Sequence, residues 1–227
     1  MTCRIAINGY GRIGQSVLRA LYEGPYRDTL EIVAINELSD IETISYLTRY
    51  DTTHGRFPYS VEICSGTDGG QKLKILNDEV SIYRSESLQD LPWRVEHIDL
   101  VMECTGVYGK RSDADKHLLS GAQKVLFSQP ADLGVDKTVV YGVNHSTLSA
   151  QDRIVSNASC TTNAIIPVIK VLHDAFHIQQ GTLTTIHSAM NDQPSIYAYH
   201  HQDLRLTGRA MQNMVPVNTA LAKGIER

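Results

Sequence analysis

The sequence predicts an α/β protein in which a doubly wound, mainly parallel sheet occupies residues 1–157 and a second, smaller unit follows over 158–227. Three observations predict it. A short apolar strand runs into a glycine turn and then a helix, a second apolar strand reads as buried on both faces, and that pattern returns after a polar interlude. A chain of 227 residues, 42% hydrophobic and 20% charged, is long enough to bury one good core and a smaller second one.

Taken in order, Arg4 to Ile7 is the first strand, and Ile13, Val17, Leu18 and Leu21 follow at helical spacing, so these four are expected on the buried face. Leu30 to Ile35 (LEIVAI) is the second strand and Ile41 to Tyr50 the next helix, completing a βαβ unit. Tyr59 to Cys64, Lys72 to Ile75 and Val80 to Tyr83 alternate and are separated by Gly70 and Asn77-Asp78, which predicts a small antiparallel excursion. Leu100 to Cys104, Lys124 to Phe127 and Thr138 to Tyr141 then resume the buried-strand pattern, with helical stretches before them. In the second unit, Thr161 to Phe176 predicts a helix with Ile165, Ile166, Ile169, Val171 and Leu172 on its buried side, and Gly181 to His187 predicts a strand. From Met190 onward the text is polar and irregular, ending in a candidate helix near Thr219 to Glu226.

The net charge of −4 and the scattered Lys and Arg give no field to gather nucleic acid or an anionic membrane. The start, MTCRIAINGYGRIG, lacks the unbroken apolar stretch of a signal peptide, and no later run approaches the ~18 residues of a membrane helix, so a cytoplasmic protein is expected. Cys3, Cys64, Cys104 and Cys160 lie far apart without a CxxC pair, which suggests neither a zinc site nor a disulfide framework. Cys3 and Cys104 sit in apolar runs and are expected in the core; Cys64 borders a glycine-rich turn and has no evident role.

Two motifs carry chemistry. Asn8-Gly9-Tyr10-Gly11-Arg12-Ile13-Gly14 contains GxGxxG where a strand closes and a helix opens. In that context Gly9 permits the tight turn, Gly11 lets backbone approach a pyrophosphate seated on the helix N-terminus, and Gly14 allows close helix–strand packing. Glu37, at the end of the second strand, is the acid expected on the adenosine ribose, and a carboxylate there favours NAD over NADP. The alternative is that the glycines only build a loop and Glu37 is a solvated acid. The second motif, Ser156-Asn157-Ala158-Ser159-Cys160-Thr161-Thr162-Asn163, places a thiol where a strand gives way to a helix, and the positive end of a helix dipole favours the reactive thiolate. His187 in Thr185-Ile186-His187-Ser188 offers an imidazole that would pair with the thiolate and move the proton of a hemithioacetal hydroxyl if it reaches the sulfur. A histidine at a strand end also serves as a polar cap, and the sequence leaves the two open.

INGYGRIG, YDTTHGRF (Tyr50 to Phe57), ECTGVY (Glu103 to Tyr108), SNASCTTN and TTIHSAMNDQ together resemble the glyceraldehyde-3-phosphate dehydrogenase superfamily along essentially the whole chain. Asn36-Glu37-Leu38, where the glycolytic enzymes usually carry Asn-Asp, and His187 to Gln193 resemble the erythrose-4-phosphate dehydrogenase branch more closely. The resemblance implies a Rossmann NAD-binding domain followed by an α+β catalytic domain, with Cys160 as nucleophile, His187 as base, a sugar phosphate as substrate and a homotetramer as the assembly. It implies oxidation of D-erythrose 4-phosphate to 4-phosphoerythronate, toward pyridoxal phosphate, through a thioester on Cys160 released mainly by water. Met190 stands where the glycolytic pattern has a phosphate-binding threonine. Gly9, Gly11, Arg12, Ile13, Gly14, Glu37, Thr105, Gly106 and Ser128 match cofactor positions; Ser159, Thr161, Thr219 and Arg209 match substrate and phosphate positions.

Three departures accompany the match. The family's chain continues beyond this length, so the second domain is expected to be incomplete, without the substrate-phosphate arginine and the asparagine that orients nicotinamide. Asp203 to Arg209 lacks two arginines of the usual DLRRxR pattern, at Leu206 and Gly208, and Arg209 substitutes only if its loop shifts. Ala164 replaces a second cysteine, which is compatible with activity because that thiol does not attack. The competing expectations are a glycolytic glyceraldehyde-3-phosphate dehydrogenase and a truncated, non-catalytic paralogue that binds nucleotide. The segment from about Pro194 to Pro216 resembles a loop that crosses a subunit interface, and a loop that long is unusual without a partner.

Overall fold

The computed structural model describes residues 2–66, 69–189 and 213–215. The chain divides into two units, Met1–Cys160 and Thr161–Arg227. The first opens with β1 (Cys3–Asn8), α1 (Arg12–Glu23), β2 (Leu30–Asn36) and α2 (Ile41–Arg49). A two-stranded hairpin follows, β3 (Tyr50–Asp51) with β4 (Gly55–Arg56), then the meander β5 (Val61–Ser65), β6 (Gln71–Ile75) and β7 (Asp78–Tyr83). It continues through β8 (Leu100–Glu103), α3 (Arg111–Ser120), β9 (Lys124–Phe127), β10 (Lys137–Thr138) and β11 (Ile154–Ser156). From Cys160 the helix α4 (Cys160–Phe176) leads into the second unit.

Among the described residues the main sheet has nine strands in the order β10-β11-β9-β8-β1-β2-β7-β6-β5. Every pair from β10 to β7 is parallel; β7-β6 and β6-β5 are antiparallel. The parallel core therefore winds outward both ways from β1, the doubly wound order of a dinucleotide-binding sheet, with its switch point between β1 and β8. The expected excursion is part of that sheet, because β7 returns parallel to β2.

Apolar cores cover both faces. Ile5 and Ile7 join Leu18, Leu21, Ile41 and Ile44 under α1 and α2, while Ala6 joins Trp93, Val101, Ala114, Val125 and Phe127 on the opposite side with α3. In β2 the pairing slips by one residue, from Ile5 opposite Ile32 to Ala6 opposite Ala34. That bulge keeps both Ile32 and Ile35 on the α1 face and sends Val33 and Ala34 to the other, so all four are buried.

Four expectations are corrected. The buried arc of α1 is Gly14, Gln15, Leu18, Arg19, Leu21 and Tyr22, whereas Ile13 is half exposed and Val17 only partly buried. Binary patterning misplaced the face because Gln15 and Arg19 carry donors to loop carbonyls, Gln15 Nε2 to Tyr10 O at 2.9 Å and Arg19 Nη2 to Gly55 O at 2.8 Å, although Arg19 Nε is buried without a partner among the described residues. The strand expected over Thr138 to Tyr141 is two residues long, Lys137–Thr138, because Val140 N–H and the Thr138 carbonyl are taken by the Asn144 side chain. Helix α4 starts at Cys160 with Thr162 as its buried residue; of the expected face Ile165, Ile166 and Ile169 are half buried, while Val171 and Leu172 are exposed. Residues 177–189 form no strand and are exposed, and among the described residues no ladder partner is paired with them.

Candidate active site

Strands β1, β2 and β8 end in register: Asn8 pairs with Asn36 on one side and Glu103 on the other. The loops leaving these ends form the candidate cofactor site. Gly9 has φ +88°, a left-handed conformation, and a Cβ there would lie 2.7 Å from the Cα of Thr105 in the loop after β8. At Gly14 a Cβ would lie 2.4 Å from the carbonyl oxygen of Gly9, so the first turn of α1 rests directly on the loop that precedes it. Gly11 is different: nothing stands within 4 Å of where its Cβ would be. It is the N-cap of α1, which has no side-chain cap and no acidic residue in its first turn. The result is an open cradle at the positive end of a helix dipole, where backbone N–H groups of the first turn suit a pyrophosphate.

Glu37 leaves β2 beside this cradle. Its Oε2 accepts from the N–H of Tyr10 at 2.7 Å, and its Oε1 from Leu38 N–H at 2.8 Å and Ser39 N–H at 3.3 Å. The acid expected on the ribose is thus also a brace for the glycine loop. Tyr10 is buried, and its hydroxyl shares a hydrogen bond with Thr48 Oγ1 at 2.8 Å, anchoring the loop to α2. Arg12 pairs with Asp51, and that guanidinium together with the N–H groups of His54 and Thr53 holds the Asp51 carboxyl well below the usual range. The Arg12 side chain is therefore directed to β3, while Ile13 stays half exposed in the first turn of α1.

On the other side of the switch point, Thr105 N–H donates to Glu103 Oε1 at 2.9 Å and Val107 N–H to Thr105 Oγ1 at 3.2 Å. Gly106 has φ +76°. Ser128 follows β9, its N–H donating to Glu103 O at 3.0 Å, and its side chain bonds the Cys104 thiol. Burial pushes that thiol up to about 11 despite Ser128. Cys3 is half buried and also raised, by burial first and by Asp99 second.

The candidate nucleophile arises from β11. Asn157 N–H donates to Phe127 O at 2.9 Å, Ser156 Oγ to Gln129 O at 2.8 Å, and Ala158 N–H to Ser156 Oγ at 3.1 Å, which fastens the turn to the end of β9. Ala158 takes φ +56° and is buried, a backbone state that costs a non-glycine residue ~1 kcal/mol or more and that recurs at functional sites. This left-handed step reverses the chain from strand to helix, so that Cys160 is the first residue of α4 and is exposed. Ser159 and Thr161 flank it, half buried. His187 lies in the second unit, exposed, with Nδ1 2.7 Å from the Ser188 carbonyl. A carbonyl only accepts, so Nδ1 carries the proton, and a neutral ring then has its basic lone pair on Nε2.

The structure brings together Gly9, Gly11, Gly14, Glu37 and Thr105 around one cradle. Met190, Arg209 and Thr219 lie outside the described residues, as do both lost-arginine positions, Leu206 and Gly208. Sequence reasoning passed over Tyr10, Asp51 and the polar row Asn36, Asn8, Glu103. A signal for that row was present: IAIN, VAIN and VME each end an apolar strand on a polar residue at the same register. No helix among the described residues is long and apolar enough to cross a membrane.

Two family models match the chain. The NAD binding domain of glyceraldehyde 3-phosphate dehydrogenase matches residues 3–111, and the C-terminal domain of the same enzyme matches residues 159–227. The first spans the cradle, Glu37 and Thr105; the second begins just before Cys160 and includes His187.

Proposed function

Because the chain belongs to the glyceraldehyde 3-phosphate dehydrogenase superfamily, NAD-dependent dehydrogenases of phosphorylated aldehydes, we propose that its substrate is D-erythrose 4-phosphate, oxidised to 4-phosphoerythronate. The observation that carries the chemistry is the exposed Cys160 delivered to the start of α4 by the Ala158 turn. Substrate choice is supported by the sequence: Glu37 after Asn36, the run from His187 to Gln193, and Met190 in place of a phosphate-binding threonine.

Cys160 gives its thiol proton to His187 Nε2 and the thiolate adds to the aldehyde carbon; a C–S bond forms, the C=O π pair moves to oxygen, and oxygen takes that proton back to give a hemithioacetal. His187 Nε2 takes the hydroxyl proton as the C–H electron pair departs, leaving a thioester on Cys160. Bound NAD supplies the acceptor for that hydride. After passing that proton to solvent, the same imidazole takes one from a water that attacks the thioester carbon; the C–S bond breaks, its electron pair returns to the Cys160 sulfur, and the acid is released. Gly11 and the first turn of α1 hold the pyrophosphate, Glu37 the adenosine ribose, and Thr105, Gly106 and Ser128 line the cleft beyond the switch point. Ser159, Thr161, Thr219 and Arg209 are assigned to the substrate phosphate. The reading includes a cytoplasmic homo-oligomer working toward pyridoxal phosphate.

NADH formation measured with erythrose 4-phosphate and with glyceraldehyde 3-phosphate, each with and without inorganic phosphate, tests this. The expected result is a higher kcat/KM for the four-carbon substrate and a rate that does not need phosphate. Preference for the three-carbon substrate with an absolute need for phosphate would instead establish the glycolytic reaction.

A further inference from the structure

Beneath the cradle lies a buried polar relay that the catalytic reading does not use. Asn36, Asn8, Glu103 and His117 are each at most 5% exposed, and Trp93 is fully buried. The direction of every hydrogen bond in it is fixed. Ser85 donates its N–H to Asn36 Oδ1 and accepts from Asn36 Nδ2 through its carbonyl, both at 2.9 Å, so the Asn36 amide has one orientation. Asn36 Nδ2 also donates to Asn8 Oδ1 at 2.8 Å, which turns Asn8 Nδ2 toward Glu103 Oε2 at 2.6 Å. From the other side the Trp93 indole, which only donates, gives its N–H to His117 Nδ1 at 2.9 Å. His117 must then carry its proton on Nε2, 3.2 Å from the same Glu103 oxygen. Thr105 donates to the other oxygen from its backbone N–H at 2.9 Å and from its hydroxyl.

Two directional chains and a loop thus converge on one side chain, and each arrives as a donor. Only a group that accepts at both oxygens satisfies all of them, and a carboxylate does so where an amide presents a donor to one side. The same carboxylate joins the last residue of β1 to the loop after β8, the two chain segments that meet where Gly9 touches Thr105.

We propose that Glu103 is a positioning residue for NAD: by accepting from Asn8 and Thr105 together it fixes the separation of the two loops that flank the switch point, with Trp93 and His117 orienting it from behind. It touches neither cofactor nor substrate. The inference rests on the NAD site assigned above and is independent of which aldehyde is oxidised.

The test titrates the full chain and its Glu103→Gln variant with NAD and, separately, with adenosine, following heat capacity and tryptophan fluorescence, with a urea melt for each protein. Glu103 is expected to act on the pyrophosphate and the cleft beyond it. Glu103→Gln should therefore weaken NAD about tenfold, the order of one lost hydrogen bond to a charged acceptor, and leave adenosine affinity within about twofold. Thr105→Val, which keeps the backbone N–H but removes the hydroxyl link from Val107 to Glu103, should weaken NAD while leaving the urea midpoint in place. This second variant carries the test if the Gln protein does not fold. In the double variant the two NAD losses should be less than additive. Equal weakening of NAD and adenosine in Glu103→Gln, unchanged NAD affinity in either folded variant, or full additivity would overturn the proposal. A parent chain that takes up no NAD would remove the cofactor site itself, a different failure from an unaffected variant.

Discussion

Gly11 and Gly14 sit three residues apart in one motif, yet the structure separates what each does, and alanine at each position tells them apart. At Gly14 the new methyl would stand 2.4 Å from the Gly9 carbonyl oxygen and 3.1 Å from Ile7 Cγ2. An ordinary C···O contact is ~3.3 Å, so helix and loop must part by nearly ~1 Å. Because the atom met is backbone and cannot turn aside, overpacking falls in the upper part of its usual range, ~2–3 kcal/mol, and the propensity gained on replacing glycine inside a helix returns ~1 kcal/mol. The net expectation is a loss of about 1–2 kcal/mol, or roughly 2–8 °C in Tm for a chain of this size. At Gly11 the methyl meets nothing within 4 Å, and φ is −75°, so alanine is accommodated. Its poorer N-cap character, of order ~0.5 kcal/mol, is offset by a similar gain from a less flexible unfolded chain. Gly11→Ala should melt within about 1 °C of the parent while NAD binding falls at least about tenfold, because the methyl fills the cradle that a pyrophosphate needs. Differential scanning calorimetry with NAD titration reads both quantities. A Gly11→Ala protein that binds NAD normally, or a Gly14→Ala protein as stable as the parent, would show that the cradle has been placed on the wrong backbone.

Iodoacetamide near neutral pH should label Cys160 first and Cys104 last, since Cys160 is exposed while Cys104 is buried and pushed up to about 11; mass spectrometry of the four cysteine peptides checks the order. His187→Asn should slow Cys160 labelling without changing that of Cys3. For cofactor choice, NAD should bind far more tightly than NADP, and Glu37→Ala should narrow the gap in a paired titration. Asp136 gives a pH test: burial alone would raise its carboxyl, but Arg111 and the N–H groups of Ile154 and Arg153 outweigh that and hold it at about 2. A depressed carboxylate stabilises the fold above its unfolded pKa, near ~3.9, and that contribution is lost as pH falls through about 2. Asp136→Asn should therefore be roughly 1 kcal/mol less stable at neutral pH, a figure already reduced for solvent screening, with the gap closing between about pH 4 and pH 2 in urea melts.

How much of this was legible follows from where each signal resides. The strand LEIVAI and the glycine motif announce themselves locally, because a strand buried on both faces must be continuously apolar and a loop against Thr105 must lack a Cβ at Gly9. The bulge in β2 left no trace, since Val33 and Ala34 are apolar in either register. The buried face of α1 was misread for a related reason: Gln15 and Arg19 look solvated in one dimension and become interior only when Tyr10, Thr48 and Gly55 offer carbonyls. Glu103 was visible within ECTG, but its meaning depends on residues 14 and 95 positions away, His117 and Asn8. The position of Cys160 where a strand gives way to a helix was readable because that change is local; the left-handed Ala158 that makes the change abrupt was not, as alanine carries no preference for it.

Of the two glutamates at the strand ends, the proposed reading gives cofactor selection to Glu37, and their hydrogen bonds support that choice. A carboxylate offers about four acceptor positions. Glu103, fully buried, has donors from Asn8, His117 and twice from Thr105, so none is left for a ligand. Glu37 is half buried and holds three N–H groups, from Tyr10, Leu38 and Ser39, the last at 3.3 Å. One position remains for a ribose hydroxyl, and the long Ser39 contact is the one a second hydroxyl would displace at least cost. The same bonds prevent the carboxylate from swinging aside when a phosphate replaces the hydroxyl: moving it would leave the Tyr10 N–H without an acceptor and loosen the loop that seats the pyrophosphate. The expected discrimination against NADP would therefore follow less from the negative charge alone, which water screens, than from a charge that the glycine loop itself holds in place.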